Sequence, residues 1–130
     1  MSEISIIVPV YNSDEYLSET IASLLKQDFT DFEIICLYCP SKDESLETLN
    51  SFSTRDARIK IIHRPNEFAG QSRNYGIQNA SGNYIVFVDS DDILPSNSLS
   101  LMHDAALKTE ADMICFNARE YENGIPGRLL

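Results

Sequence analysis

Four near-continuous apolar runs punctuate this chain, and each stops abruptly at polar or turn-forming residues. The first is Ile4–Val10, halted by Tyr11-Asn12; Phe32–Tyr38, Ile59–His63 and residues 84–88 follow. Runs rich in β-branched and aromatic residues predict strands, and near-continuous apolarity predicts strands buried on both faces of a parallel sheet. Between the runs the apolar period changes. Leu17, Ile21, Leu24 and Leu25 fall on one helical face. Asn12 or Ser13 is the expected cap of that helix, and Asn12 and Glu15 have capping-box spacing. Ser41 is the expected cap of a second helix over residues 42–52, with Leu46 and Leu49 three apart. Helices are also predicted over residues 71–79 and 96–108, and a fifth strand over residues 113–116. Strand and helix alternate, which implies an α/β fold: a mainly parallel sheet with helices on both faces. Glu120 to Leu130 contain two Gly and one Pro without periodicity and read as a tail. The chain stops soon after a strand, without a closing helix, and is expected to be the front part of a longer protein.

Composition narrows the partners. Twenty acidic residues against ten basic give a net charge of −10, which disfavours nucleic acid and anionic membrane. A phosphorylated ligand then requires a metal or a local Arg to offset the field. At 130 residues and 43% hydrophobic content, one domain with a real core is expected. No apolar run approaches the ~18 residues of a membrane-spanning helix. Met1-Ser2-Glu3 lacks the basic stretch of a signal peptide. The expected location is cytoplasmic, with the inner face of the membrane reached only through regions outside this stretch. Three cysteines, Cys36, Cys39 and Cys115, are an odd count and read as reduced, buried thiols.

The chemistry concentrates where the fourth run ends, at Asp89-Ser90-Asp91-Asp92. Three carboxylates in four positions repel one another. A hard divalent cation, Mn²⁺ or Mg²⁺, takes oxygen ligands and cancels that charge. Asp89 and Asp91 lie two apart, so an extended backbone projects both to one side, where they can share a metal or a metal-plus-ribose site. The bland alternative is an acidic loop ahead of a helix, and the residues alone leave both open.

Ser5-Ile6-Ile7-Val8-Pro9-Val10-Tyr11-Asn12, the helix from Tyr16 to Gln27, Gly70-Gln71-Ser72-Arg73-Asn74-Tyr75-Gly76-Ile77, Ala80-Ser81-Gly82-Asn83-Tyr84 and the Asp-x-Asp of Asp89-Ser90-Asp91 together resemble glycosyltransferase family 2, the inverting enzymes of GT-A fold. The match is in order and spans nearly the whole chain. The resemblance implies a GT-A core over residues 1–118, with 119–130 a tail or the start of an acceptor-binding region. It implies transfer of a sugar from a nucleotide-diphosphate donor, most simply a UDP-sugar, to a glycan or lipid-linked acceptor in cell-envelope biosynthesis. It implies that Asp91 holds the cation on the diphosphate, with Asp89 and Ser90 near the ribose or sugar. It also puts Arg73 at the nucleotide, and Pro9, Val10 and Tyr11 at the base. Asp92 is expected to brace the turn.

Two departures stand out. The family usually carries Asp-Asp-Gly-Ser after its second strand; here Tyr38-Cys39-Pro40-Ser41 stands in that place. Tyr38 is the expected replacement, by stacking on the base. A general base for the acceptor hydroxyl is not assigned: Glu110, Asp112, Glu120 and Glu122 are the only late acids and none sits in a matching motif. The rival expectation is therefore a non-catalytic nucleotide-sugar-binding or interaction module with degenerate base recognition. A receiver-like domain is excluded, since it needs an acidic pair where this chain has Pro9-Val10-Tyr11-Asn12. Cys36 and Cys39 spell C-x-x-C, but three residues along a strand put their side chains on opposite faces, so neither a redox pair nor a zinc site is expected.

Overall fold

The computed structural model describes residues 2–130. Its elements run β1 (Ile4–Val10), α1 (Asp14–Leu25), β2 (Phe32–Tyr38), α2 (Ser45–Ser53), β3 (Ile59–His63), α3 (Ala69–Asn79), β4 (Tyr84–Phe87), α4 (Ser98–Thr109), β5 (Arg119–Glu122) and β6 (Ile125–Leu129). The first four strands form one sheet in the order β3-β2-β1-β4, and every pairing in it is parallel. β1 and β2 sit at the centre and are buried along almost their whole length, which is why they read as unbroken apolar runs.

Alternate residues of the central strands feed two separate cores. Ile4, Ile6, Val8 and Val10 of β1 join Ile34, Cys36 and Tyr38 of β2 beneath Leu17, Ile21 and Leu24 of α1, Leu49 of α2 and Leu99 of α4. Ile7, Ile35 and Leu37 face the other way, under Tyr75 of α3. Helices thus cover both faces, as the alternation of elements predicts. α3 lies very close to the sheet at Gly76, where a Cβ would come within 2.6 Å of Ile7 Cγ2. Gly82 is equally constrained, since a Cβ there would meet the backbone N of Ser5 at 2.6 Å. The buried carboxamide of Gln27 ties α1 to α4, donating to Pro95 O at 2.7 Å and accepting from Leu99 N at 3.0 Å.

Several expectations are corrected. The capping box of Asn12 and Glu15 does not form: Asn12 adopts a left-handed backbone, φ 51°, a conformation that Asn tolerates better than most residues. Ser13 is the N-cap but makes no side-chain cap bond. The first donors of α1 are met across the fold instead, Ser13 N by Ser45 Oγ at 3.0 Å and Asp14 N by Asp43 Oδ2 at 3.1 Å. α2 begins at Ser45, three residues later than expected, because Asp43 Oδ1 accepts from both Ser41 Oγ and Ser45 N and holds a turn there. α3 begins earlier than expected, with Gln71 Oε1 accepting the Phe68 N–H at 3.1 Å.

The strand expected at residues 113–116 is absent. A strand needs a ladder partner, and this segment pairs with none of the described strands. Cys115 is exposed rather than buried. The expected tail is an antiparallel hairpin, β5 against β6, turning at Asn123-Gly124 with φ 51° and 80°. Asn-Gly is the favoured pair for a tight hairpin turn that needs positive φ at both positions.

Candidate functional site

The carboxyl edge of the parallel sheet is where strand ends leave a crevice between their connections. Here β1 ends at Val10, whose carbonyl accepts Cys39 N at 2.9 Å; Tyr38 O accepts Arg64 N at 2.8 Å; and Ile7 O accepts Val88 N at 3.1 Å. Those bonds hold the exits of all four strands side by side. Between them and the start of α3 lies a cavity of about 680 Å³. Pro9, Val10, Tyr11, Arg73, Asp89, Ser90 and Asp91 all line it. Seven positions singled out in the sequence, from three separate segments, therefore meet at one place.

Arg73, in the first half of α3, ion-pairs with Asp89 Oδ1 across the cavity wall. Both side chains are partly exposed, 34% and 54%, so the pair is screened and its main effect is positional. Asp91 makes no hydrogen bond or ion pair among the described residues. Asp92 does not line the cavity; its amide closes the turn on Asp89 O at 3.1 Å, as expected of a brace. Burial pushes the Asp92 carboxyl above the usual range, and the charges of Asp91 and Asp89 push it further.

Ser90 is tied down from below. Ser13 Oγ donates to Tyr11 O at 2.9 Å, so in the 2.6 Å contact between the two serine hydroxyls Ser90 is the donor. Thr20 Oγ1 donates to Ser90 O at 3.0 Å. The start of α1 thus fixes the acidic turn. That start is in turn pinned by Asp43, which accepts from Ser41 Oγ, Ser45 Oγ, Ser45 N and Asp14 N. Burial raises the Asp43 carboxyl, but those donors outweigh it and hold it down at about 2.

Tyr38 is a correction. Its ring is 5% exposed and belongs to the core under α1. His63 packs edge-on against it at 5.5 Å, and its hydroxyl accepts Ser41 N at 3.2 Å. The ring is not among the residues that line the cavity, which argues against its stacking on a base. Parity explains this: Tyr38 follows Ile34 and Cys36 in alternation and points with them. Cys39, one residue on, is buried against Ser72 Oγ at 3.7 Å and does line the cavity. Burial drives the Cys36 thiol up to about 12, and Cys36 lies in the core under α1, so the C-x-x-C pair does not act together.

The sequence reading missed the connection from β3 to α3. Asn66, Glu67, Phe68 and Ala69 form one wall. Glu67 accepts two hydrogen bonds from Arg64, at 2.9 and 3.1 Å, and one from Ser72 Oγ at 3.0 Å. Arg64 stacks over Tyr75 at 3.8 Å. The signal that points to these residues is topological: polar residues just past the carboxyl end of a parallel strand. None of Glu110, Asp112, Glu120 and Glu122 lines the cavity.

Among the described residues no three His, Cys, Asp or Glu side chains converge on one point. Asp89 and Asp91 are the carboxylates at the acidic turn that reach the cavity. Two carboxylates fit a cation such as Mg²⁺, which commonly takes one or two from the protein and the rest from substrate phosphates and water. No helix among the described residues is long and apolar enough to cross a membrane.

Comparison with known proteins gives a consistent picture. The model of the family described as glycosyl transferase family 2 matches residues 5–128. Glycosyltransferase GlyG of Streptococcus pneumoniae serotype 4 is 38% identical over 124 residues, covering 94% of this chain and 41% of GlyG. The poly(ribitol-phosphate) beta-glucosyltransferase of Bacillus spizizenii is 37% identical over 115 residues, covering 85% of this chain and 18% of that protein. The crystal structure of S. aureus TarS 1–349 in complex with UDP superposes with a TM-score of 0.76 at 30% identity, covering 86% of this chain and 34% of that TarS 1–349 chain. The α/β architecture with its four-stranded parallel sheet is that of the GT-A glycosyltransferases. The chain spans less than half the length of these curated relatives.

Proposed function

The chain belongs to glycosyl transferase family 2, and we propose that its cavity binds the nucleoside-diphosphate part of an activated sugar, most simply a UDP-sugar, as the donor half of a metal-dependent inverting transferase. The observation that carries this reading is the convergence of the β1 exit, Arg73 and the Asp89–Asp91 turn on one cavity. In that reading Pro9 and Val10 offer main-chain groups to the base and Tyr11, 57% exposed, lies over it. Asp91, free of protein partners, is the principal metal ligand. Asp89, shared with Arg73, faces the ribose or the sugar and assists at the metal. Arg73 brings positive charge to an anionic ligand in a chain of net charge −10.

Mg²⁺ or Mn²⁺ held there supplies a Lewis acid for the charge that grows on the departing diphosphate. The chain's own contribution is orientation: α1, through Ser13 and Thr20, fixes the turn that carries both aspartates. An acceptor hydroxyl attacks the anomeric carbon in line, and the nucleoside diphosphate leaves from the opposite face. The base that takes the hydroxyl proton is not among the cavity residues assigned above. We place the acceptor among envelope glycans or lipid-linked intermediates on the cytoplasmic side; the relative named for poly(ribitol-phosphate) supports a polymeric acceptor and no more.

The test is donor turnover by the full-length protein. Sugar transfer or donor hydrolysis should depend on Mn²⁺ or Mg²⁺ and fall about a hundredfold or more in Asp91→Ala. Turnover unchanged in that variant would remove the proposal. Nucleotide binding without any turnover would favour the non-catalytic module.

A further inference from the structure

We propose that Glu67 reads the nucleobase, accepting the imide N–H that uracil presents at N3; this rests on the nucleotide-binding reading above. The tip of β2 provides no strong acceptor for such a donor. Tyr38 is turned into the core. Cys39 offers a thiol, a weak donor and weak acceptor. Ser72 Oγ donates to Glu67, so in the Cys39–Ser72 contact the thiol proton points at the serine. The base end of the cavity therefore lacks a strong side-chain acceptor on the β2 side.

Glu67 fills that need from the neighbouring wall. It lines the same cavity, and Ser72 alone separates it from Cys39. Its side chain is 8% exposed and held by three hydrogen bonds. Arg64 Nε and Ser72 Oγ occupy Oε1, and Arg64 Nη2 occupies Oε2. A carboxylate has about four acceptor positions, so one on Oε2 is left over. Arg64 is itself held by Tyr75 and by the hydrogen bond its backbone N–H donates to Tyr38 O. It balances the Glu67 charge, so the carboxylate can stand near a nucleotide without repelling its phosphates. The hydrogen bonds from Arg64 hold the Glu67 carboxyl below its usual range, against the opposing effect of burial. It stays an acceptor at neutral pH.

Uracil has a donor at N3 and cytosine has a bare lone pair there. An ionised acceptor favours the first and rejects the second, because a buried polar group left without its partner is penalised. The alternative is that Glu67 only staples the β3–α3 connection.

Calorimetric titration of UDP and CDP, each with Mn²⁺, separates the two. The wild type is expected to prefer UDP by roughly tenfold or more, the effect of one hydrogen bond to a charged group. Glu67→Gln keeps the shape and adds an N–H donor that cytosine N3 can accept, so the UDP:CDP ratio should fall towards one. A purely structural role lowers the melting temperature and weakens both nucleotides alike. Should Glu67→Gln fail to fold, Glu67→Asp withdraws the same acceptor and is read by the same ratio. A wild type that binds UDP and CDP equally, or a ratio unmoved by either variant, overturns this inference alone. No Mn²⁺-dependent binding of any nucleoside diphosphate overturns the donor-site reading and this inference with it.

Discussion

Glu33 and Asp91 stand at opposite edges of one parallel sheet, and the sheet treats them in opposite ways. Glu33, near the start of β2, is 2% exposed and accepts from Lys60 Nζ, Ser5 Oγ, Ser81 N and Ser81 Oγ. Three of those bonds fall on Oε1 and the Lys60 ammonium sits on Oε2, so its own chain surrounds the carboxylate with donors. Burial raises its carboxyl, but the donors prevail and hold it at about 2. Asp91, past the end of β4, is exposed and makes none of these bonds. A buried carboxylate that its own chain surrounds with four donors is part of the scaffold. One that the fold holds in place yet leaves unpartnered has its capacity available to a ligand. Glu67, with three positions filled and one open, stands between the two.

The largest expected effect tests the scaffold half of that contrast. Glu33→Ala strands Lys60, Ser5 and Ser81 and should lower stability by on the order of 2–3 kcal/mol, measured by urea unfolding. The pH dependence follows from the direction of the shift. The carboxyl is at about 2 when folded and 4.5 when free, so its stabilisation is complete above pH 4.5 and is lost as pH falls towards 2. Asp43, held at about 2, loses its contribution in the same direction. Glu33→Gln should therefore flatten the acid limb of the wild-type stability curve. An acid limb identical in both proteins would mean that Glu33 is not held ionised by these donors.

Gly76→Ala comes next. The new Cβ meets Ile7 Cγ2 inside van der Waals distance, and overpacking of a tight core typically costs about 1–3 kcal/mol. Because α3 carries Arg73, the same variant should weaken nucleotide binding, whereas Glu33→Ala should not, once both are studied under folding conditions. Equal effects on binding would erase the distinction between the two edges. Tyr38→Phe is the smallest. It removes one acceptor for Ser41 N and should cost about 0.5–1.5 kcal/mol, with UDP affinity unchanged within twofold. A large loss of affinity would give the Tyr38 hydroxyl a role at the nucleotide that its bond to Ser41 N does not suggest.

The parts of this fold visible in the sequence are those where one physical rule dominates. β1 and β2 are buried on both faces, so their apolar runs survive any local preference. Asp89 and Asp91 stand out because clustered carboxylates at a strand end repel one another and have no packing reason to be there; Arg73, on α3, stands out only through the family resemblance. Tyr38 was legible too, by parity with Ile34 and Cys36, but residue type suggested stacking and alternation decided otherwise. Glu67 was not: only the fold brings the β3–α3 connection against Cys39. The start of α2 escaped because Asp43 caps it together with α1, a tertiary arrangement that local spacing cannot show. The β5–β6 hairpin carried its Asn-Gly signal openly, in a segment whose Gly and Pro content masked the strands around it.

The central claim is that the acidic turn at the end of β4 seats a divalent cation under a nucleoside diphosphate. Titration of UDP into the protein, with and without Mn²⁺, for wild type and Asp91→Ala tests it most directly. Binding should require Mn²⁺ and disappear in Asp91→Ala, while the melting temperature of the metal-free protein stays the same. Binding that ignores the metal, or that survives intact in Asp91→Ala, contradicts it.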